Sequence, residues 1–289
     1  MKYIYIVNRF NLKNRTDGMV EKLRKVSEKH HREYEIVVNE TVEDAKNCIR
    51  EFQNTRDIIT SVGGDGSINL LLNDLINTQN ILSFVPFGTG NDFCRFCMEN
   101  MEDGIQDVDI VRINDRYFIN VACFGIDADI ANDDSFIHNR WIPSSMRYNA
   151  GVIYYFLTYK PRSLRIEVNG ELIDKEVTTA VVGNAQYYGG GYHVSPYSEI
   201  KDGQLEVIVA DRLNKVSMAK VILSMKDAGH LKHPAVSSFK TDRLVISSEE
   251  TVCANIDGEP LKAQCFEMEV LPKAFPIAFD RSFIEDMRK

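Results

Sequence analysis

Gly63-Gly64-Asp65-Gly66-Ser67 stands between an apolar run, Asp57 to Val62, and a stripe of Ile68, Leu71, Leu72, Leu75 and Ile76 spaced as one face of a helix. Glycines at a strand-to-helix turn let phosphate oxygens approach main-chain N–H groups, and the helix N-terminus adds partial positive charge. Such a loop suits an anion. Asp65 inside it would repel a bare triphosphate, so its carboxylate makes sense through Mg2+ or through water bound to Mg2+. A second glycine-bearing stretch, Pro86-Phe-Gly-Thr-Gly-Asn-Asp-Phe93, follows the apolar run Ile81 to Val85 and brings Thr89, Asn91 and Asp92 into its loop. A third segment, Ile256-Asp-Gly-Glu259, carries two more carboxylates. Taken singly, the first is also compatible with a plain tight turn, and the third with a hairpin turn whose carboxylates face water.

Apolar runs at Tyr3 to Val7, Tyr34 to Val38, Asp57 to Val62 and Ile81 to Val85 have strand length and β-branched composition. Helical spacing fills the gaps between them; Val42, Ala45, Cys48, Ile49 and Phe52 form one face. Strands alternating with helices predict a largely parallel, doubly wound, Rossmann-like sheet, in which the two glycine-bearing exits lie at the carboxyl edge where one nucleotide could bind. From about Asp109 the pattern changes. Tyr117 to Ala122, Leu164 to Val168, Leu172 to Val182, Leu205 to Ala210, Leu244 to Ser248 and Phe266 to Leu271 read as strands in close succession, with Asn169-Gly170 a hairpin signal and one helix expected at Asn149 to Thr158. The expected fold class is therefore α/β plus β: a nucleotide domain over residues 1–109 and a β-sandwich or barrel over 110–274.

Two domains suit 289 residues, of which 44% are hydrophobic and 26% charged. The longest apolar run, Val152 to Tyr159, is too short to span a bilayer, and Tyr3 to Val7 is too short for a secretion signal. Six cysteines fall below disulfide-scaffold density, and Cys94-Arg-Phe-Cys97 has no second pair with which to hold a metal, so buried reduced thiols in a cytoplasm are expected. His230-Leu-Lys-His233 lacks a third ligand and reads as a surface helix end. A net charge of −8 opposes nucleic-acid binding. Residues 1–40 nonetheless hold nine Lys/Arg against six Asp/Glu, a local excess of three positive charges. The aromatic stretch Trp141 to Tyr159, with Arg140, Arg147, Lys160 and Arg162 around it, suits either a bilayer surface or a packed core.

In series, Gly63-Gly-Asp-Gly-Ser-Ile-Asn69, Gly88-Thr-Gly-Asn-Asp-Phe93, Val108-Asp109, Gly189-Gly-Gly191 followed by Asp202-Gly203, and Ile256-Asp-Gly-Glu259 resemble the diacylglycerol kinase catalytic-domain family, to which sphingosine and ceramide kinases are more distantly related. One Gly-Gly-Asp-Gly is shared with nicotinamide-nucleotide kinases; five motifs in order are specific. The resemblance implies an active site in the cleft between the two domains, with the chain end, about 275–289, returning to the first. It implies that Gly63, Gly64, Asp65, Gly66, Ser67, Ile68 and Asn69, with Gly88, Thr89, Asn91, Asn8 and Asn39, hold ATP. Asp65, Asp92 and Asp109 would gather around a catalytic Mg2+, and Glu259 would take the proton from the acceptor hydroxyl. Asp202, with the carbonyls of Glu199 and Gln204, would hold a second Mg2+; Asp202-Gly203 read by itself is equally a simple turn. Gly189 to Gly191 beside Tyr187, Tyr188 and Tyr192 would line the acceptor cleft or form a flexible loop.

The chain departs from the family at its first loop, which reads Asn8-Arg-Phe-Asn-Leu; at Ser67 in place of threonine; at Leu70 in place of an acid; and in the 16 residues between Asp92 and Asp109, which imply a trimmed helix. Phosphoryl transfer needs in-line placement and charge neutralisation more than covalent catalysis, so donors, a metal and one base suffice. The expectation is an ATP- and Mg2+-dependent kinase of a membrane lipid such as diacylglycerol, working from the cytoplasm and visiting the bilayer transiently, with no nucleic-acid partner and with homodimerisation left open. Two rivals stay open: a kinase of a soluble alcohol or nicotinamide nucleotide, and a nucleotide-binding regulator without turnover.

Overall fold

The computed structural model describes residues 1–53, 55–87, 91–132, 154 and 156–289. The chain divides into two compact units, Met1–Ile110 with Pro272–Lys289, and Val111–Leu271. Gly88 and Thr89, most of the expected 149–158 helix, and most of the aromatic stretch 141–159 lie outside the described residues.

The first unit begins with β1 (Tyr3–Asn8), α1 (Arg9–Leu12), α2 (Thr16–Lys29), β2 (Tyr34–Asn39), α3 (Val42–Phe52), β3 (Ile58–Gly63), α4 (Asp65–Leu75), β4 (Ile81–Pro86) and α5 (Asp92–Asn100). Its strands pair in the order β2-β1-β3-β4, all parallel. Each of β1, β3 and β4 is a short, almost wholly buried run such as a parallel sheet covered on both faces requires. α3 is fixed by a capping box in which Thr41 Oγ1 accepts from Asp44 N while Asp44 accepts from Thr41 N. α4 turns Ile68, Leu71, Leu72 and Leu75 into the core.

The second unit is built from β5 (Gly104–Ile113), whose first residues belong to the first unit, β6 (Arg116–Phe118), β7 (Val121–Gly125), α6 (Ile126–Asn132), β8 (Arg162–Val168), β9 (Glu171–Gly183), the short hairpin β10 (Tyr187–Tyr188) and β11 (Tyr192–His193), β12 (Leu205–Asp211), α7 (Lys215–Ser224), β13 (Val236–Thr241), β14 (Arg243–Ile256) and β15 (Glu259–Phe279). Antiparallel pairing runs β13-β12-β9-β7-β14-β15, and β8 joins both β9 and β14. The largest apolar cluster of its core includes Phe118, Phe124, Ile166, Val182, Val207, Ile246 and Phe266. Asn169 (φ 53) and Gly170 (φ 79) make the expected hairpin turn. Past Leu271, the end of β15 runs parallel to β4 through Ile277 and Leu82, and α8 (Arg281–Arg288) closes the chain against α2 within the first unit.

Two expectations need correction. The strand read over Tyr117 to Ala122 is interrupted at Ile119 and Asn120, whose N–H groups bond to a side chain instead of a neighbouring strand. His230 is not a surface residue. It is 1% exposed in a 3₁₀ turn, Gly229–Lys232, where its Nε2 hydrogen donates to the Val194 carbonyl at 2.9 Å and burial pushes its pKa down.

Candidate active site

Parallel register sets the ends of four strands of the first unit in one row. Asn8 pairs with Asn39 across β1 and β2, Val7 with Val62 across β1 and β3, and Gly63 with Pro86 across β3 and β4. Asn8, Asn39, Gly63 and Pro86 thus share the carboxyl edge, where an open α/β sheet binds ligands. Asn8 and Asn39 are each 3% exposed, and the Asn39 amide points at Asn8 Oδ1 across 3.5 Å.

Gly63 has no room for a side chain. A Cβ there would lie 2.4 Å from Ser67 Oγ, so the residue must be glycine for the first turn of α4 to close. Gly64 caps that helix in extended conformation, and Asp65 is its first residue. The Asp65 carboxylate reaches across to the next loop: Oδ2 accepts the Asp92 N–H at 2.9 Å and Oδ1 the Phe93 N–H at 3.1 Å, so it caps α5. The two loops are joined a second time by the main-chain bond from Phe87 N to the Gly63 carbonyl at 2.9 Å. Ile68 and Asn69 are buried on α4. Asn91 stands at the N-cap of α5.

The unusual first loop is itself ordered by charge. Arg9 lies 3.1 Å from Glu40 and 3.6 Å from Asp17, so it ties the ends of β1 and β2 to the start of α2. Arg15 places its guanidinium 4.7 Å from the centre of the Phe87 ring, a cation beside the second exit loop. No motif marked Arg15. Its only signal is the local basic excess of the first 40 residues.

Asp109 is fully buried and its Oδ1 accepts the Lys273 N–H at 2.8 Å, within the same unit. Among the described residues, no three His, Cys, Asp or Glu side chains gather closely enough to hold a metal. The carboxylate cluster implied for Asp65, Asp92 and Asp109 is therefore not assembled as a three-acid site. Asp65 and Asp92 are neighbours, however, and Mg2+ that arrives on a nucleotide needs only one or two protein carboxylates beside phosphate oxygens and water. Each Asp65 oxygen keeps acceptor capacity after its bond to the α5 N-terminus. The Asp65 carboxylate fits such an ion.

The residues implied for a second Mg2+ do not fit one. Asp202 Oδ2 lies 2.8 Å from Lys240 Nζ, and its Oδ1 accepts the Gln204 N–H at 3.0 Å. Glu199 supplies the carbonyl that the Asp202 N–H reaches at 3.5 Å. A divalent cation on this carboxylate would press against an ammonium.

In the second unit, Asp257 (φ 48) and Gly258 (φ 95) form the two-residue turn between β14 and β15, and Glu259 opens β15 as an exposed side chain. The neighbour two residues back is the opposite. Asp257 is 6% exposed, and its carboxylate accepts from three consecutive main-chain N–H groups: Ile119 at 2.9 Å, Asn120 at 3.1 Å and Val121 at 2.8 Å. The Asn255 side chain adds a bond from Gly258 N at 3.1 Å. The turn that presents Glu259 is thus clamped from below. Sequence reading assigned Asp257 no role, because its partners lie 136 to 138 positions away.

The three glycines 189 to 191 all have positive φ and link β10 to β11. Tyr188 turns inward; burial first and then the nearby Asp127 charge raise its pKa, and burial also pushes the Asp127 carboxyl up. Cys94 and Cys97 are buried and free, as expected of reduced thiols. Burial pushes the Cys94 thiol up to about 11 and the Cys97 thiol well above its ordinary value.

Residues 2–119 match the family model for the diacylglycerol kinase catalytic domain, and residues 120–279 match that for the YegS C-terminal NAD kinase beta sandwich-like domain. The chain belongs to the diacylglycerol kinase catalytic-domain family. It is 27% identical over 232 residues to a diacylglycerol kinase of Bacillus subtilis (strain 168), covering 73% of either chain. It is also 27% identical over 229 residues to a diacylglycerol kinase of Staphylococcus haemolyticus (strain JCSC1435), covering 73% of this chain and 67% of that one. The fold matches the crystal structure of a diacylglycerol kinase from Bacillus anthracis str. Sterne, with a TM-score of 0.70, 21% identity and 98% of each chain covered. The protein is accordingly a kinase, a phosphotransferase with an alcohol group as acceptor. No helix among the described residues is long and apolar enough to cross a membrane.

Proposed function

We propose that this family member moves the γ-phosphate of ATP, with Mg2+, onto the hydroxyl of a lipid of the diacylglycerol class. The observation that carries the reading is the row of Asn8, Asn39, Gly63 and Pro86 at one sheet edge, with Asp65 joining the two glycine-bearing loops behind it. Main-chain N–H groups from Gly63 to Asn69, at the N-terminus of α4, receive the phosphates. The amides of Asn8, Asn39 and Asn91, together with Gly88 and Thr89, complete the donor set. Mg2+ held by Asp65 and Asp92 would neutralise charge on the transferring phosphoryl group. On the second unit, Glu259 takes the acceptor proton, its exposed side chain offering the oxygen that a general base needs.

A lipid acceptor is supported by the names of the curated relatives and by α7. Val216 and Leu223 on that helix are 66% and 70% exposed. Lys215 and Lys220 on the same helix, with Lys226 just beyond it, border them, and no acidic residue occurs from 212 to 226 in a chain of net charge −8. Exposed apolar side chains between lysines suit brief contact with an anionic bilayer. Six free cysteines agree with work in a reducing cytoplasm.

The test is transfer from γ-labelled ATP with Mg2+, wild type beside Asp65→Asn, to diacylglycerol and other lipids in mixed micelles and to soluble alcohols. Labelled phospholipid that disappears in the variant supports the reading. Label on soluble alcohols alone refutes the lipid acceptor, and bound ATP without transfer to any acceptor refutes turnover.

A further inference from the structure

Tyr197 to Gln204 connects two parts of the second unit and carries the Asp202-Gly203 turn. Two carboxylates hold it at its ends. Glu206, fully buried on β12, accepts the Tyr197 N–H at Oε2 over 2.8 Å and the Ser238 hydroxyl at Oε1 over 3.1 Å. Asp202 accepts the Gln204 N–H at 3.0 Å, and Gly203 adopts φ 70 to close the turn. A buried acid calls for a counter-charge, and so does a carboxylate that closes the turn of the segment it holds. One side chain supplies it. Lys240 sits directly opposite Glu206 in the β12–β13 register and extends its ammonium to Asp202 Oδ2 at 2.8 Å. Burial pushes the Glu206 pKa up, and the Lys240 charge acts against that shift. The Lys240 main chain is anchored in turn, because its carbonyl accepts from Asn169 Nδ2 at 2.9 Å in the β8–β9 hairpin.

We infer that the Lys240 ammonium takes the place of a divalent cation in bracing the Tyr197–Gln204 segment, so that this part of the protein is independent of metal. A cation beside Asp202 would have to displace Lys240, and the displaced ammonium would withdraw the positive charge that acts on Glu206. The inference stands whether or not the acceptor is a lipid, since it concerns the brace and not the phosphate site.

Lys201 is exposed and offers trypsin a cut inside the braced segment. The experiment measures thermal unfolding and the rate of tryptic cleavage after Lys201 in the full chain without nucleotide, in EDTA and in millimolar MgCl2 or CaCl2. Wild type should give the same midpoint and the same cleavage rate in all three. Lys240→Met should lower the midpoint by about 5 °C, speed cleavage at Lys201, and regain part of both with either cation. That recovery should vanish in Lys240→Met/Asp202→Asn. Protection of wild-type Lys201 by Mg2+ or Ca2+ that Asp202→Asn abolishes would overturn the inference. So would a Lys240→Met protein that loses stability yet ignores both cations, since ammonium and divalent cation would then not be equivalent. If Lys240→Met does not fold, wild-type cleavage in EDTA against Mg2+ decides the question alone.

Discussion

Replacing Asp257 with asparagine tests whether the buried acid, and not the turn shape, holds the end of β14 in place. Asparagine keeps the size of the side chain and tolerates the left-handed conformation at φ 48, so backbone strain changes little. What it removes is the negative charge and one of two acceptor oxygens. Three N–H groups, of Ile119, Asn120 and Val121, now converge on that carboxylate. Hydrogen bonds to a charged group contribute about 1.5–3 kcal/mol each, and a buried donor left without a partner costs about 1–3 kcal/mol. In asparagine one oxygen still serves one or two of the three, while the amide NH2 faces a donor. The expected loss is about 2–4 kcal/mol, a fall of roughly 5–10 °C in melting temperature. Alanine would free all three donors and bring a residue less suited to positive φ, for a loss of about 4–6 kcal/mol.

Urea unfolding followed by far-UV circular dichroism reads the difference. An Asp257→Asn protein within about 0.5 kcal/mol of wild type would refute the reasoning, because the N–H groups would then be satisfied elsewhere. The variant also bears on Glu259. If the clamp matters to catalysis only by fixing the turn, Asp257→Asn should lower kcat with little change in the KM for ATP, and should have no further effect in a Glu259→Gln background. Additive losses in the double variant would show that Asp257 acts by another route.

Glu259→Gln should cost about 10²–10⁴ in kcat while ATP affinity and stability stay near wild type, since the side chain is exposed; a kcat within a few-fold of wild type removes it as the base. Asp65→Asn deletes the charge that caps α5 at two N–H groups, for a loss of about 1–2 kcal/mol in unfolding free energy, and should weaken Mg2+-dependent ATP binding, which calorimetry would report. α8 is held by two acids. Asp280, despite burial that works the other way, has its pKa lowered by the Phe283 N–H, Arg32 and Ser282, and Asp286 is held well below the usual carboxylate range by Lys29, His30 and Lys289. Folded values below an unfolded value near about 3.9 mean that this stabilisation is present above that pH and is lost as pH falls through the folded values. Melting temperatures measured from pH 6 downwards should therefore converge for wild type and Asp280→Asn in acid; parallel curves would contradict the assignment.

The parallel half of this chain was legible because buried parallel strands are short apolar runs: the reading of Tyr3 to Val7 and Ile81 to Val85 each stopped one residue before the strand's end, at Asn8 and Pro86. The antiparallel half was legible only where alternation was strong. β15 runs through Glu259–Phe279 and contains Pro260, Pro272 and Pro276, residues that argue against a central strand, so only its apolar stretch from Phe266 to Leu271 was read. The site divides along the same line. Glycine-rich loops announce themselves locally, since Gly63 is required by an atom four residues away. Asp257 and Lys240 announce nothing, since each answers to groups brought near by sheet register. The Ile119–Asn120 break inside an apolar run was the one local trace of the clamp: a strand stops there because its N–H groups have a better acceptor than a neighbouring strand. An Asp-Gly-Glu turn could be read from sequence as a simple hairpin or as the seat of a base, and the geometry makes these compatible. The turn is a hairpin, its first carboxylate is consumed in holding it, and its second is left in water.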